Sequence, residues 1–184
     1  VYGKEIDINT IPLDDLLSYK LLQRGDTTGV FQLESAGMRR YLKDLKPTEF
    51  EDIVAMVALY RPGPMQWIAD FINRKNGLSP TTYLHPAMEP SLNNTYGIIV
   101  YQEQVMQISK EMCRSRGWQD DKKHKAIGTK IPKVMAKLKT DFIEGVVKTV
   151  GADRALMEKL WCKLEYFAAY FFTNSQSACY DIIA

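Results

Sequence analysis

The residues best suited to chemistry lie in one basic stretch past the middle of the chain. Between positions 122 and 133 the sequence places six basic side chains around Gly128: Lys122, Lys123, His124, Lys125, Lys130 and Lys133. Lysine ammonium groups bind phosphate as point charges, and a glycine lets the backbone come close to a ligand. A helix predicted to begin at Ile131-Pro132 adds unpaired amides that favour an anion. The spacing fits phosphate binding and a solvated charged turn equally well.

The sequence contains no complete catalytic site. Its two histidines, His85 and His124, are far apart, and no serine or cysteine lies in a nucleophile motif. The pairs Asp14-Asp15 and Asp120-Asp121 are adjacent, so on a helix their side chains would point about 100° apart. Both pairs fit helix N-termini better than a metal site. No glycine-rich phosphate loop of the common types is present. We therefore predict no catalytic residue, metal ligand or cofactor in this chain.

The charge of the chain is unevenly distributed, although the net charge is only +2. Residues 1–109 carry 10 Lys/Arg and 13 Asp/Glu, residues 110–148 carry 11 and 5, and residues 149–184 carry 3 and 4. A local excess of positive charge attracts polyanions in a salt-dependent way. The alternative is a lysine-rich helix face that simply faces water.

Two further motifs hold polar side chains at predicted helix ends. Arg61 precedes Pro62-Gly63-Pro64 and is therefore rigidly placed, either for a ligand or as a cap of the helix end. The run 101–104, Tyr-Gln-Glu-Gln, lies where a short strand is expected to pass into a helix. Glu103 fits a first-turn acid, and the two glutamines fit solvated side chains or nucleic-acid contacts.

The elements that must position these residues are predicted to be helices. With 184 residues, 46% of them hydrophobic and 25% charged, the chain has the composition of an ordinary globular protein. No apolar run reaches the ~20 residues needed to cross a bilayer, so we expect no membrane association. The widely spaced Cys113, Cys162 and Cys179 predict reduced thiols and a cytoplasmic protein.

We predict a mostly α, multi-helix fold with at most two short strands. The strand-like stretches are 30–33 and 97–101, and residues 78–96 are expected to be a loop with one helical turn near Met88. A capping box at Thr48–Glu51 precedes a helix that is apolar around most of its girth, which should be central in the core. The predicted helices cover about 14–24, 34–45, 51–60, 65–75, 101–116 and 131–150, and the last helix begins after Gly151 and ends in the run 170–174.

Several blocks of the sequence form a recognisable series along the chain. They are Val30–Ser35, Met38-Arg39, Leu45–Pro47, Ala58–Met65, Thr95–Met106, Ala126–Lys130 and Phe167–Tyr170, with Ser175–Tyr180 following. In this order they resemble the fingers region of the bacterial DNA polymerase III alpha subunit, the C-family replicative polymerases. The resemblance covers essentially the whole chain.

The resemblance implies that the chain is part of a larger polymerase. Residues 1–29 would be a lead-in from the palm side, and residues 30–184 the helical fingers domain. In the family, three magnesium-binding aspartates lie in the palm, on the N-terminal side of this region. We therefore expect Mg²⁺ in the palm of the full enzyme, and we expect the fragment alone to be inactive.

The resemblance also implies roles for the basic residues. In the family, a Leu-Arg-Arg-Ala-Met-Gly-Lys-Lys segment supplies positive charge to the triphosphate of the incoming nucleotide. Carried over, His124 and Lys125 stand at the two arginines, and Thr129 and Lys130 at the two lysines. The expected nucleotide-phosphate ligands are Lys123, His124, Lys125 and Lys130. The expected DNA contacts are Arg61, Lys110, Arg114, Lys133 and Lys137.

Some positions depart from the family pattern. A histidine with a pKa near the reference value of ~6.5 is only partly charged at pH 7, and lysine cannot make the bidentate contact of arginine. A Phe-Asn-Lys-Ser-His run of the family is replaced by Phe172-Thr173-Asn174-Ser175-Gln176. These departures indicate a divergent relative, and a phage origin is one interpretation of them.

The function that follows is the fingers portion of a DNA-directed DNA polymerase, a nucleotidyltransferase, which positions the incoming deoxynucleoside triphosphate and the template. Expected partners are primer-template DNA, the nucleotide, and the palm and thumb domains of the same polymerase. Through the full-length chain they extend to the sliding clamp and other replisome subunits. The alternative is a stand-alone helical nucleic-acid-binding or scaffold module without polymerase activity. An Asp-x-Asp motif upstream would favour the polymerase, and a Met codon directly before Val1 the alternative.

Overall fold

The computed structural model describes residue 7 and residues 10–113, 132–168 and 174–183. Among these residues it forms α-helices and no β-strand, which confirms the mostly α prediction. Within the same ranges, no helix combines the length and the apolar character that crossing a bilayer would require. The helices are α1 Leu16–Arg24, α2 Ala36–Leu45, α3 Phe50–Leu59, α4 Ile68–Lys75, α5 Glu89–Leu92, α6 Gln102–Cys113, α7 Pro132–Val150, α8 Arg154–Ala168 and α9 Asn174–Ile183.

The helix ends follow from local sequence chemistry. Asp15 is the N-cap of α1 and accepts a hydrogen bond from the Ser18 amide at 2.8 Å, which confirms its predicted place at a helix start. Gly25 ends the helix in the left-handed region at φ 65°. The capping box of α3 forms one residue later than predicted, with Glu49 as the N-cap and Asp52 as the returning acid.

The apolar side chains form two clusters. The first is centred on α3, whose residues from 52 to 59 are all buried, and includes side chains from α1, α2 and α4. The second holds the inner faces of α6, α7 and α8 together with Met88 and Leu92. Trp67 packs against both clusters. The predicted central position of the helix after Thr48 is therefore confirmed.

The buried segment 98–101 joins the two clusters. Ile98, Val100 and Tyr101 enter the first cluster, whereas Ile99 enters the second. The side chain of Gln104 holds this segment in place. Its Oε1 accepts from the amides of Val100 at 2.8 Å and Tyr101 at 3.0 Å, and its Nε2 donates to Thr95 Oγ1 at 2.8 Å and Ser91 O at 3.3 Å. Gln104 is thus a buried structural residue, and neither of the roles expected for it from sequence is correct.

The predicted strand at residues 30–33 is wrong, because these residues form turns. The hydroxyl of Thr27, fully buried, donates to Leu33 O at 2.6 Å. The Val30 amide donates to Thr27 O, and the Leu33 amide donates to Val30 O. Gln32 has a left-handed φ of 63°. Hydrogen bonds within the turns therefore pair backbone amide and carbonyl groups that an isolated extended strand would leave without partners.

Two regions contain more helix than the sequence analysis predicts. The loop expected at 78–96 contains three successive helical pieces, Pro86–Met88, α5 and Asn93–Thr95, in place of one turn. The helix from Arg154 to Ala168 is not the last one, because α9 follows it and packs against α3. Glu103, at the start of α6, accepts a hydrogen bond from the Asn174 amide at 3.2 Å and so helps to hold the first turn of α9.

Candidate functional site

All four predicted phosphate ligands belong to the segment 114–131, which lies outside the described residues. Lys123, His124, Lys125 and Lys130 lie outside the described residues, and so does Arg114 among the predicted DNA contacts. The backbone of Lys133 lies in the first turn of α7, but its side chain is outside the description. The helix predicted after the basic stretch does form, and it begins at Pro132.

The C-terminal end of α6, which precedes residues 114–131, is held by the second apolar cluster. Cys113, the last residue of α6, is fully buried, and its carbonyl accepts from Thr149 Oγ1 at 2.8 Å. Its thiol donates to Phe142 O across 3.7 Å. Phe142 and Met112 belong to the same cluster. The segment with the predicted phosphate ligands therefore leaves from and returns to a packed pair of helices.

Two predicted DNA contacts lie on these same helices with their side chains in solvent. Lys110 is exposed in the last turn of α6, and Lys137 is exposed in the second turn of α7. In the part of the chain that the structure describes, neither lysine has a salt bridge. Their ammonium groups can therefore meet an anion without first breaking an ion pair.

Arg61 has a different environment from these lysines. It follows α3 and is half-buried, and the burial lowers the pKa of its guanidinium, partly offset by Tyr180 of α9. Its carbonyl accepts from the Met65 amide at 3.1 Å, while Gly63 turns the chain with a φ of 100°. Arg61 is thus within electrostatic reach of a tyrosine from the far end of the chain.

The structure brings together three side chains whose convergence the sequence did not indicate. Tyr180 contacts the ring of Phe31 edge to face, with centroids 5.7 Å apart, and is within electrostatic reach of Arg61. Phe31 remains 46% exposed, and an exposed ring of this kind is a surface on which a base can stack. Positions 31, 61 and 180 share no sequence pattern, so only the packing of α9 onto α3 reveals this group.

A buried carboxyl group lies close to the same end of α9. Both side-chain oxygens of Asp181 are buried without a hydrogen-bond partner. They border a cavity of about 370 Å³ lined largely by apolar side chains, among them Tyr19, Leu33, Phe50 and Ile53. Burial raises the pKa of Asp181 to about 7, well above its usual value.

Stability should therefore depend on Asp181 between about pH 4 and pH 7. In this window the folded state holds a proton that the unfolded state has lost, so stability falls as the pH rises. We expect Asp181→Asn to stabilise the chain by a few kcal/mol at pH 8, and by almost nothing near pH 4. Chemical denaturation of both proteins across this range measures the difference. The same change at exposed Asp70 should not alter the pH profile, and parallel wild-type and Asp181→Asn profiles would contradict the assignment.

The described residues do not fit a magnesium site. No group of three or more His, Cys, Asp or Glu side chains converges among them. The buried carboxylate of Asp52 is already engaged by backbone amides and Lys75, and Asp181 lies among apolar side chains. These side chains therefore do not form a set of metal ligands.

The fold and these side chains define a helical module with basic and aromatic groups at its helix ends. Residues 1–150 match the family described as the bacterial DNA polymerase III alpha subunit finger domain. The DNA polymerase III subunit alpha of Aquifex aeolicus (strain VF5) is 48% identical over all of this chain, which covers 16% of that protein. The DNA polymerase III subunit alpha of Pseudomonas aeruginosa is 47% identical over 97% of this chain, which covers 16% of that protein. The subunit of Staphylococcus aureus (strain N315) is 44% identical over 99% of this chain, which covers 17% of that protein.

The chain belongs to the bacterial DNA polymerase III alpha subunit family and corresponds to its finger domain. It spans about a sixth of the length of these relatives. The alternative of a stand-alone helical module is not favoured, because the similarity to the polymerase subunits extends over the whole chain.

Proposed function

We propose that this chain positions the incoming deoxynucleoside triphosphate and the template strand in a DNA-directed DNA polymerase. The observation that carries the proposal is the location of the charge. The basic stretch 122–133 runs directly into the N-terminus of α7, where backbone amides favour an anion. Lys110 and Lys137 add exposed charge on the two flanking helices.

In this proposal Lys123, His124, Lys125 and Lys130 contact the triphosphate, and Arg61, Lys110, Arg114, Lys133 and Lys137 contact DNA. The palm and thumb domains of the full-length polymerase complete the site, and the palm supplies the aspartates that bind Mg²⁺. The enzyme works in the cytoplasm, and the sliding clamp and other replisome subunits bind through the rest of the polypeptide. The lead-in 1–29 joins the palm to the fingers domain 30–184.

The experiment replaces two of the proposed phosphate ligands in the full-length polymerase. Lys125→Ala and Lys130→Ala should each raise the KM for nucleotide by roughly 5- to 150-fold, since a charge-assisted contact contributes about 1–3 kcal/mol. His124→Arg should lower the KM at pH 8, where an imidazole is mostly neutral. Steady-state primer extension measures these changes, and Lys148→Ala, exposed at the far end of α7, is the matched control.

Salt dependence separates a nucleotide site from a general DNA-binding face. If the lysines bind the triphosphate, the affinity for DNA should change little in the alanine variants. A loss of about one unit of log-log salt slope per lysine would place them on the DNA backbone. If neither the KM nor DNA binding changes, the basic stretch is a solvated turn and the proposal fails.

A further inference from the structure

A second basic groove lies far from residues 122–133 in the sequence, between α2 and α4. On each side, lining residues recur at the spacing i, i+3, i+4 and i+7, which places them on one helical face. They are Gly37, Arg40, Tyr41 and Asp44 on α2, and Ala69, Ile72 and Asn73 on α4 with Asn76 at its C-cap. Lys43, Lys46, Tyr60, Met65 and Leu78 complete the lining of a space of about 950 Å³. We call it the α2–α4 groove.

Hydrogen bonds and close packing fix the shape of the α2–α4 groove. At the C-terminal ends of the two helices, Asn76 Nδ2 donates to Asp44 O at 2.9 Å, and Lys75 Nζ donates to Lys46 O at 3.0 Å. At the start of α2, the Tyr60 hydroxyl lies so close to Gly37 that an added Cβ would be 2.3 Å from it. The groove is therefore built into the packing of the domain.

The α2–α4 groove carries three exposed cations. Arg40 and Lys43 lie on α2, and Lys46 follows as its C-cap with a left-handed φ of 51°. Among the described residues none of the three forms a salt bridge, although Lys43 lies within electrostatic reach of Asp26. Asp44 is the acidic residue in the lining, so the groove has a net charge of +2 (three cations, one anion). This charge suits a ligand with several negative groups in a row.

Aromatic rings lie beside these cations. Tyr41 and Tyr60 contact each other edge to face, with ring centroids 5.9 Å apart, and both are half-buried. Unpaired bases stack on such rings whatever their sequence. A duplex keeps its bases stacked inside, and a groove between two helices in contact is narrow, with axes about 8–10 Å apart. Exposed cations beside these tyrosines therefore match a single strand better than a duplex.

We propose that the α2–α4 groove binds a single strand of nucleic acid, with its phosphates along Arg40, Lys43 and Lys46 and a base against Tyr41. In a polymerase this strand is the unpaired template. The identification of the strand as template rests on the proposed function, whereas the binding of single-stranded nucleic acid by the groove does not.

The test uses the full-length polypeptide and a short oligothymidylate. Arg40→Gln/Lys43→Gln removes two charges and keeps the helix, so the log-log salt slope of binding should fall by about 1.4, or ~0.7 per lost phosphate contact. At moderate salt the Kd should rise roughly tenfold by fluorescence anisotropy. Lys148→Gln/Lys159→Gln removes the same charge from exposed sites on α7 and α8 and should leave the slope unchanged. Equal slopes in the groove variant and the control would overturn the proposal.

A second pair of variants tests the stacking contact. Tyr41→Leu should weaken binding of the oligothymidylate at least fivefold, whereas Tyr41→Phe, which keeps the ring, should bind as the parent does. Two results would overturn the single-strand assignment. One is an equal loss of affinity in Tyr41→Leu and Tyr41→Phe. The other is a loss of affinity in Arg40→Gln/Lys43→Gln that is the same for duplex and for single-stranded DNA. A third outcome is that the groove variants lose oligothymidylate binding as expected while Lys125→Ala leaves the nucleotide KM unchanged. That combination would refute the proposed function but support the α2–α4 groove as a single-strand site.

Discussion

Replacing Val54 by aspartate is expected to unfold the domain. Val54 lies in the centre of α3 with 2% of its surface exposed, and its neighbours from 52 to 59 are buried as well. A buried carboxylate without a partner costs several kcal/mol, which is comparable with the whole stability of an ordinary domain, about 5–15 kcal/mol. Circular dichroism during thermal unfolding should show no cooperative transition for Val54→Asp at neutral pH.

Two controls make this result specific to burial. Val54→Ala removes only apolar contacts and should lower stability by about 1–3 kcal/mol, with a cooperative transition retained. Glu51→Gln changes an exposed residue of the same helix and should have little effect. A melting temperature for Val54→Asp close to that of the parent would mean that α3 is not at the centre of the core.

The second large effect is expected at Asp52, the buried acid of the α3 capping box. Its carboxylate accepts from the amides of Thr48 at 2.9 Å and Glu49 at 3.3 Å. It also lies 3.3 Å from Lys75 Nζ, with side-chain exposures of 1% for the aspartate and 7% for the lysine. Asp52→Ala should destabilise the domain by about 3–5 kcal/mol, because it leaves a buried ammonium without its counterion. Urea denaturation measures the loss.

The double variant Asp52→Asn/Lys75→Met separates the charge pair from the helix cap. It removes both charges while the asparagine oxygen can still accept from the two amides, so much of the lost stability should return. The single variant Lys75→Met should be intermediate. Equal stability of Asp52→Ala and the parent would show that the ion pair contributes nothing to the fold.

The helices could largely be predicted from the sequence because their signals are local. Asp15 before α1, the glycine after it and the apolar period of α3 act within a few residues of one another. The capping box forms one residue later than the sequence predicts, because the pairs Thr48/Glu51 and Glu49/Asp52 have the same spacing. Lys75, which lies on a different helix, pairs with Asp52 and so favours the second pair.

Features that depend on distant partners could not be predicted. Helix α9 is rich in small polar side chains, and the position of its buried face becomes clear only against α3. Gln104 looks like a surface residue in the sequence, but four hydrogen-bonding groups from residues 91–101 surround it. The basic stretch 122–133 could be predicted because its lysines and its histidine follow one another closely in the sequence. The group of Phe31, Arg61 and Tyr180 could not, because it spans most of the chain.

The packing of α9 onto α3 has a consequence for biosynthesis. Helix α3 ends at Leu59 and α9 begins at Asn174, so the ribosome must add about 115 residues (174 − 59) before the partner of α3 exists. At roughly 5–20 residues per second this takes on the order of 10 s. During that interval the face of α3 that Ala178 and Tyr180 later cover is open on the nascent chain. A chaperone that recognises apolar segments therefore has its best opportunity at residues 50–59, before synthesis reaches α9.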